Sequence, residues 1–388
     1  MSYSVLVDIE GCPHRWALSE ATYENVWSGR GYPRTLQFAF LSGVVVHAAL
    51  QTIVSALTYA GCMSQTSASG ITVMKELGGY TAVLEQTIEK LLVRYADNPR
   101  ARHLIDHARR TLNTQTPQLR TQVQNFVLRA NLTGSPAVRR YSRGASPIRE
   151  RTALTAGMYT ELAVLAPAIG WKARLDLLSL TPEHCAITEY KTGAENELHA
   201  FQVRLYALLW YRDNVLNPHA RLVDKLAIAY RSGDVPVPVP SAGELEILEK
   251  TILDRTAAAK RVAAQSPPPA QPHPDHCCQC QVRHLCATYW SGPVQRQLAS
   301  PGDSLRPFGD IEVEIERVYG PSSWIANVIA GLPRLVGQSV LLRSRVDGLL
   351  LAPDMRLRLL GVHIRFPDAF EEIATVTVGT LSEVFQCA

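Results

Sequence analysis

Between Gly170 and Tyr206 the chain reads GWKARLDLLSLTPEHCAITEYKTGAENELHAFQVRLY, two alternating runs that feed a helix. Side chains on a strand return to the same face every second residue, so Glu189 and Lys191 emerge together while Tyr190 points the other way. If the two runs pair as a hairpin, Asp176 joins them on that face. Two carboxylates and an ammonium grouped on one strand face are costly to bury unless they are paired or hold a metal ion. Carboxylate oxygens suit Mg2+ or Mn2+, which keep several waters and accept phosphate oxygens as further ligands. Acidic and basic residues also alternate on solvated strands, so the spacing D-x12-E-x-K is a weak signal by itself.

The flanking residues add to it. A strand carrying Arg174 to Asp176, a strand carrying Glu189 to Gly193 as E-Y-K-T-G, and a helix carrying Gln202 and Tyr206 as Q-x-x-x-Y follow one another. In this order they resemble the PD-(D/E)xK nuclease superfamily, in its RecB-like branch. Ala173 stands where that branch usually has glycine. Gln202 and Tyr206 are four apart and share one helical face, which in the family borders the metal site. Further upstream, an apolar helix expected over about Leu36 to Tyr59 carries Gly43-x-x-x-His47, similar to the first motif of the same branch. On its own, such a histidine reads as a core residue. The resemblance implies that His47, Asp176, Glu189 and the Tyr190 carbonyl hold Mg2+ or Mn2+, that Lys191 serves catalysis, and that Glu161, ahead of the R-x-D strand, has a supporting role.

The chain has eight cysteines. No secretory signal or membrane-spanning segment is expected, since the apolar span from Phe38 to Cys62 is broken by Ser42, His47, Gln51 and Ser55. The expected compartment is therefore the cytoplasm, where structural disulfides are rare. Cys62, Cys185 and Cys387 stand alone and read as small buried hydrophobes. Cys277-x2-Cys280-x5-Cys286 supplies three thiolates after a proline-rich connector, QSPPPAQPHPDH; Cys12, in CPHRWAL, is the natural fourth. Four thiolates suit either zinc or an iron-sulfur cluster. One cysteine ahead of the nuclease motifs and three after them resembles the iron-sulfur subset of RecB-like nucleases, such as AddB and the CRISPR-associated adaptation nucleases. That resemblance implies a 4Fe-4S cluster closing a loop from residue 12 to residue 286, a structural staple. Cys278 could replace Cys277 as ligand.

A net charge of +4 over 388 residues is too mild to establish a polyanionic partner, so distribution matters more than total. From Arg100 to Arg151 eleven arginines (100, 102, 109, 110, 120, 129, 139, 140, 143, 149 and 151) face only Asp106 and Glu150. That density suggests contact with a phosphate backbone. From Phe308 the pattern shifts to short alternating runs, which suggests a small barrel of about five strands on which Tyr319, Trp324, Arg343, Arg345, Arg356 and Arg358 could track a single strand.

The expected architecture is α/β. A restriction-endonuclease-like core, a mixed sheet flanked by helices, occupies residues 1–295 with a basic helical insertion at about 71–150; a small all-β, OB-like domain follows at 305–388. The expected activity is Mg2+- or Mn2+-dependent hydrolysis of DNA, single-stranded by preference, in repair, recombination or antiviral defence. Exonuclease and endonuclease action are both open. A rival is a non-catalytic DNA-binding scaffold. A helicase is a possible partner, since the chain carries no Walker motif of its own.

Overall fold

Two short helices open the chain, α1 (Tyr3–Gly11) and α2 (Pro13–Glu20), separated by Cys12, whose sulfur caps α2 by accepting the Arg15 N–H at 3.4 Å. α3 (Phe38–Tyr59) is long because Val45, Val46, Ala49, Leu50, Ile53, Val54 and Leu57 recur on one face, and all are buried. Each such large aliphatic side chain contributes roughly 1.5–3 kcal/mol by leaving water. Gly61 ends the helix at φ 66°, letting the Cys62 N–H reach the Leu57 carbonyl. α4 (Ala68–Glu76), α5 (Gly79–Val93) and α6 (Ile105–Arg129) complete the helical insertion, and α3, α5 and α6 share one core with Leu84, Ile88, Leu112 and Phe126 at its centre. α3 is also the one helix among the described residues long and apolar enough to cross a bilayer, by length and composition only.

In this computed structural model the described residues are 1–27, 31–130, 132, 151–298, 308–367 and 373–387. Contacts divide the chain into two units, Met1–Val7 with Leu36–Lys260, and Asp8–Thr35 with Arg261–Ala388. The division differs from the 295–305 boundary drawn from composition, because the cysteine-bearing segments group with the C-terminal strands.

The first unit contains a five-stranded mixed sheet in the order β1 (Gly157–Ala166), β2 (Trp171–Leu180), β3 (Cys185–Lys191), β4 (Lys225–Tyr230), β5 (Asp234–Val237). All neighbours are antiparallel except β3 and β4, which are joined by the crossover helix α7 (Glu197–Arg212). α7 lies across all five strands. α8 (Ala242–Ala263) follows the edge strand. The α/β class and the mixed sheet expected from the sequence are present.

In the second unit, α9 (Pro274–Cys277), α10 (Ala287–Trp290) and α11 (Gly292–Leu298) surround the cysteine loop. Six strands follow: β6 (Phe308–Gly320), β7 (Ser323–Gly331), β8 (Ser339–Ser344), β9 (Arg356–Arg365), β10 (Ala374–Val378) and β11 (Glu383–Gln386). Five close on themselves as β6–β7–β8–β10–β9 and back to β6, with β8 and β10 parallel, while β11 adds to β9. Gly331 is obligatory here: at φ 113° a Cβ would stand 2.4 Å from the Asp310 carbonyl oxygen. The expected all-β domain is present, with one strand more than foreseen.

Several side chains expected to track DNA on this barrel do other work. Trp324 is buried and its indole N–H donates to the Leu351 carbonyl at 3.1 Å. Arg356 and Arg358 both neutralise the buried Glu312, and Arg358 also donates to the His284 carbonyl. Tyr319, Arg343 and Arg345 are exposed.

Asp213 fixes the end of α7. It is fully buried, accepts the Leu165 N–H at 2.8 Å and the Leu216 N–H at 3.0 Å, and pairs with Arg151. Removing a buried carboxylate strands all these donors together. Asp213→Ala is therefore expected to lower unfolding stability by about 3–5 kcal/mol, read from denaturant titration; a loss below about 1 kcal/mol, the scale of an exposed pair, would contradict this assignment.

Candidate metal and nuclease site

The register of β2 with β3 runs Leu178 opposite Ile187 and Leu177 opposite Thr188, and carried one residue further it sets Asp176 opposite Glu189. The Tyr190 N–H donates to Asp176 Oδ2 at 2.8 Å, which fixes that carboxyl. Lys191 Nζ lies 2.8 Å from Glu189 Oε1. The Tyr190 ring faces the opposite side and meets Phe126 of α6 edge-on.

α7 supplies a second layer of contacts. Gln202 Oε1 accepts from Lys191 Nζ at 3.0 Å, while its Nε2 donates to Glu189 Oε1 at 3.2 Å and to Tyr206 Oη at 2.5 Å. The amide thus aligns the carboxylate and the ammonium together, and Tyr206 holds the amide. α3 brings His47, whose Nδ1 lies 3.7 Å from Asp176 Oδ2 and whose ring bonds the backbone of Tyr190. Gly43 allows that approach. A Cβ there would stand 2.8 Å from Thr192 Oγ1, just beyond the end of β3.

Glu161 has more reach than the sequence suggests. It lies on β1 between Thr160, opposite Leu177, and Leu162, opposite Leu175, so it sits beside Asp176 across the ladder. Its φ is 51°, uncommon for a residue with a Cβ. Its carboxylate meets Arg174 at 3.4 Å, and its charge acts on both Asp176 and His47. The only sequence signal was position, an acid one strand ahead of Asp176.

Burial dominates the electrostatics. It pushes the Asp176 carboxyl up to about 6, opposed by the Tyr190 N–H and reinforced by Glu161. It pushes Glu189 up to about 8, reinforced by the charge of Asp176 and opposed by Lys191. His47 is lowered, mainly by burial, so its neutral imidazole can act as a ligand. Glu189 Oε2 is buried and, among the described residues, has no hydrogen-bond partner. An orphaned carboxylate oxygen among two further acids fits a divalent cation. As these side chains stand, no three His, Cys, Asp or Glu groups among the described residues are already gathered at metal-holding spacing.

The cysteines form a separate group in the second unit. Cys12, Cys277, Cys280 and Cys286 line one small cavity together with Leu18, Pro272 and Val282. Backbone N–H groups already point at sulfur there: Gln271 at Cys12 (3.5 Å) and His273 at Cys277 (3.3 Å). Burial raises the thiols of Cys277, Cys280 (to about 11) and Cys286. A cationic centre would reverse that shift, and four sulfurs with N–H donors fit thiolate ligation. Cys278 is exposed and donates to the Pro274 carbonyl instead. The loop is tied down by Arg283, which pairs with Asp310 of β6 at 2.5 Å, and by the Tyr289 hydroxyl on the same carboxylate at 2.8 Å. Of the three lone cysteines, Cys62 and Cys185 are buried and Cys387 is half-buried.

The arginine-rich stretch is partly spent on the fold. Arg100 is buried; Arg109 bridges Glu89 and Asp106; Arg129 holds Asp234 and the Tyr230 carbonyl; Arg151 holds Asp213. Arg102, Arg110 and Arg120 are exposed, whereas Arg139, Arg140, Arg143 and Arg149, with the loop Thr133 to Pro147, lie outside the described residues.

Because Asp176 and Glu189 keep protons when folded that the unfolded chain has lost, rising pH costs the folded state. Without divalent metal, the melting temperature of the wild type relative to an Asp176→Asn, Glu189→Gln double variant is expected to fall from about pH 4 to about pH 8, the window between ordinary carboxyl values and the raised ones. Added Mg2+ is expected to stabilise the wild type more at the upper end. A difference that grows with pH would contradict the burial argument.

Comparison with known proteins agrees with this geometry where it speaks. No curated protein matches the chain. Among solved structures, the crystal structure of SSO0001 aligns at 12% identity, covering 65% of this chain and 98% of that one, with a TM-score of 0.26, too low to carry an argument. A family model matches residues 1–287, a span that contains every residue of the Asp176–Glu189–Lys191 cluster and all four cavity-lining cysteines. By that match the chain belongs to the PD-(D/E)XK nuclease superfamily, whose members are generally nucleases that use divalent metal ions such as Mg2+.

Proposed function

We propose that this protein is a cytosolic Mg2+- or Mn2+-dependent deoxyribonuclease that acts on single-stranded DNA and carries a 4Fe-4S cluster as a structural staple. The observation that carries the first part is the buried, partnerless Glu189 Oε2 beside Asp176 and Lys191. His47, Asp176, Glu189 and the Tyr190 carbonyl would hold the cation. Once bound, a divalent ion there supplies Lewis acidity that lowers the pKa of water and offsets charge on a phosphate in transit.

The chain's own groups do the rest. Lys191, held by Gln202, has a proton donor free to turn toward an attacking water or a phosphoryl oxygen. Tyr206 keeps Gln202 from rotating away. His47 stays neutral at physiological pH, so it offers a lone pair without protonation. The exposed Arg102, Arg110 and Arg120 are available to phosphates.

The iron-sulfur assignment rests on the four cavity-lining sulfurs, their N–H donors and the spacing of the cysteines. We read the C-terminal barrel as OB-like, on the five-strand closure with parallel β8 and β10. DNA repair, recombination or antiviral defence would each employ such an enzyme, with a helicase as a fitting partner.

End-labelled single- and double-stranded DNA incubated in Mn2+, Mg2+ or EDTA tests the activity. Cleavage is expected only with free divalent metal, and Lys191→Ala is expected to slow it about 10³-fold while DNA binding persists. A variant as active as wild type would move the site elsewhere. In anaerobic preparations, Cys280→Ser is expected to lose brown colour, iron and acid-labile sulfide together; a colourless wild type containing zinc would replace the cluster with a zinc staple.

A further inference from the structure

A groove of about 940 Å³, to which mostly polar residues contribute, opens directly beyond β3. One wall is the segment from Thr192 to Glu195, continuous with Lys191; the other is α6. From α6 it receives Gln118, Gln122 and Asn125, spaced four and three residues apart and therefore on one face. That stripe spans about 10 Å along the helix, which matches roughly three nucleotides at about 3.4 Å per residue of a stacked strand.

The chemistry of the stripe is specific. Among the described residues none of the three side-chain amides has a hydrogen-bond partner. Two of the charged groups beside them are engaged, Arg129 with Asp234 and Glu195 with the Ser232 hydroxyl at 3.1 Å, while a third, Arg231, is exposed at the lining. Arg231 is thus placed to meet a backbone phosphate of the same strand. The three neutral amides are left free beside it, each offering a donor and an acceptor side by side.

We propose that this groove binds the nucleobases of the strand being cut, with Gln118, Gln122 and Asn125 reading base edges next to the scissile phosphate. The inference rests on the nuclease reading above and adds the substrate class to it. A primary amide matches the adjacent donor and acceptor of a base edge, and adenine offers that pattern through N6 and N7. Adenine offers it again through N6 and N1 on its Watson–Crick edge, which is open only in a single strand, where bases are not already paired. The groove's volume admits a few nucleotides of one strand and not a duplex.

Binding, measured by fluorescence anisotropy with no divalent metal added, separates this claim from cleavage. The probes are oligodeoxyadenylate of about 12 nucleotides and an abasic oligomer of the same length and charge. The wild type is expected to prefer the adenylate about 10-fold. The triple variant Gln118→Ala, Gln122→Ala, Asn125→Ala is expected to bind both probes alike, at the affinity the wild type shows for the abasic one. Gln118→Ala alone, at an exposed position, should lose part of the preference and guards against a folding defect, as does an unchanged melting temperature. Equal binding of both probes by the wild type overturns the proposal, as does a triple variant that keeps the full preference. If the preference appears and then vanishes as expected but no metal supports cleavage, the groove stands and the nuclease reading falls.

Discussion

A carboxyl pair placed across β2 and β3 in a dry setting is the constraint on which the first unit depends. Asp176 and Glu189 face each other where water is largely excluded, and burial lifts both well above ordinary carboxyl values. Lys191 neutralises one oxygen of Glu189 and leaves the other without a partner. Folded alone, the cluster must hold protons; with a divalent ion it can release them. On the proposed reading, that exchange, cation for protons, turns a destabilising arrangement into a functional one.

The surrounding elements are arranged to keep the pair in place. α7 delivers Gln202 and Tyr206 from the crossover that parallel pairing of β3 with β4 requires. α3 comes close at Gly43, where the side chain of Thr192 occupies the space a Cβ would need, and so sets His47 against Asp176 and the Tyr190 backbone. Glu161, in an uncommon backbone conformation, adds a third carboxyl group beside the pair. The second unit solves a different problem: Arg283, Tyr289 and Asp310 anchor a loop of cysteines to a closed barrel, and four sulfurs share one cavity.

The shared face of Glu189 and Lys191 was legible from the sequence because period-two alternation alone sets both on one side, and i, i+4 spacing pairs Gln202 with Tyr206. The reason for Gly43 was not legible, since Thr192 lies far along the chain. Charge counting misled in the arginine-rich stretch for the same cause: Glu89, Asp213 and Asp234, which engage Arg109, Arg151 and Arg129, are distant in sequence. In the barrel, β7 carries no strand signature in the sequence, because SWIANVIAG is apolar almost throughout and shows no alternation, and its Trp324 is buried in the core. The helical character of residues 71–130 was readable, but the groove that the amides of α6 line was not, since its other wall, the segment after Lys191, lies far along the chain.

Binding of Mn2+ followed by electron paramagnetic resonance, in wild type and in Glu189→Gln, tests the account at its centre without requiring turnover. The wild type is predicted to bind the ion at this cluster and the variant to bind it at least about 10-fold more weakly, since the substitution removes a buried carboxylate that, among the described residues, has an oxygen without a partner. Equal binding by the two proteins, or none by the wild type, would contradict the claim that this carboxyl pair exists to hold a metal.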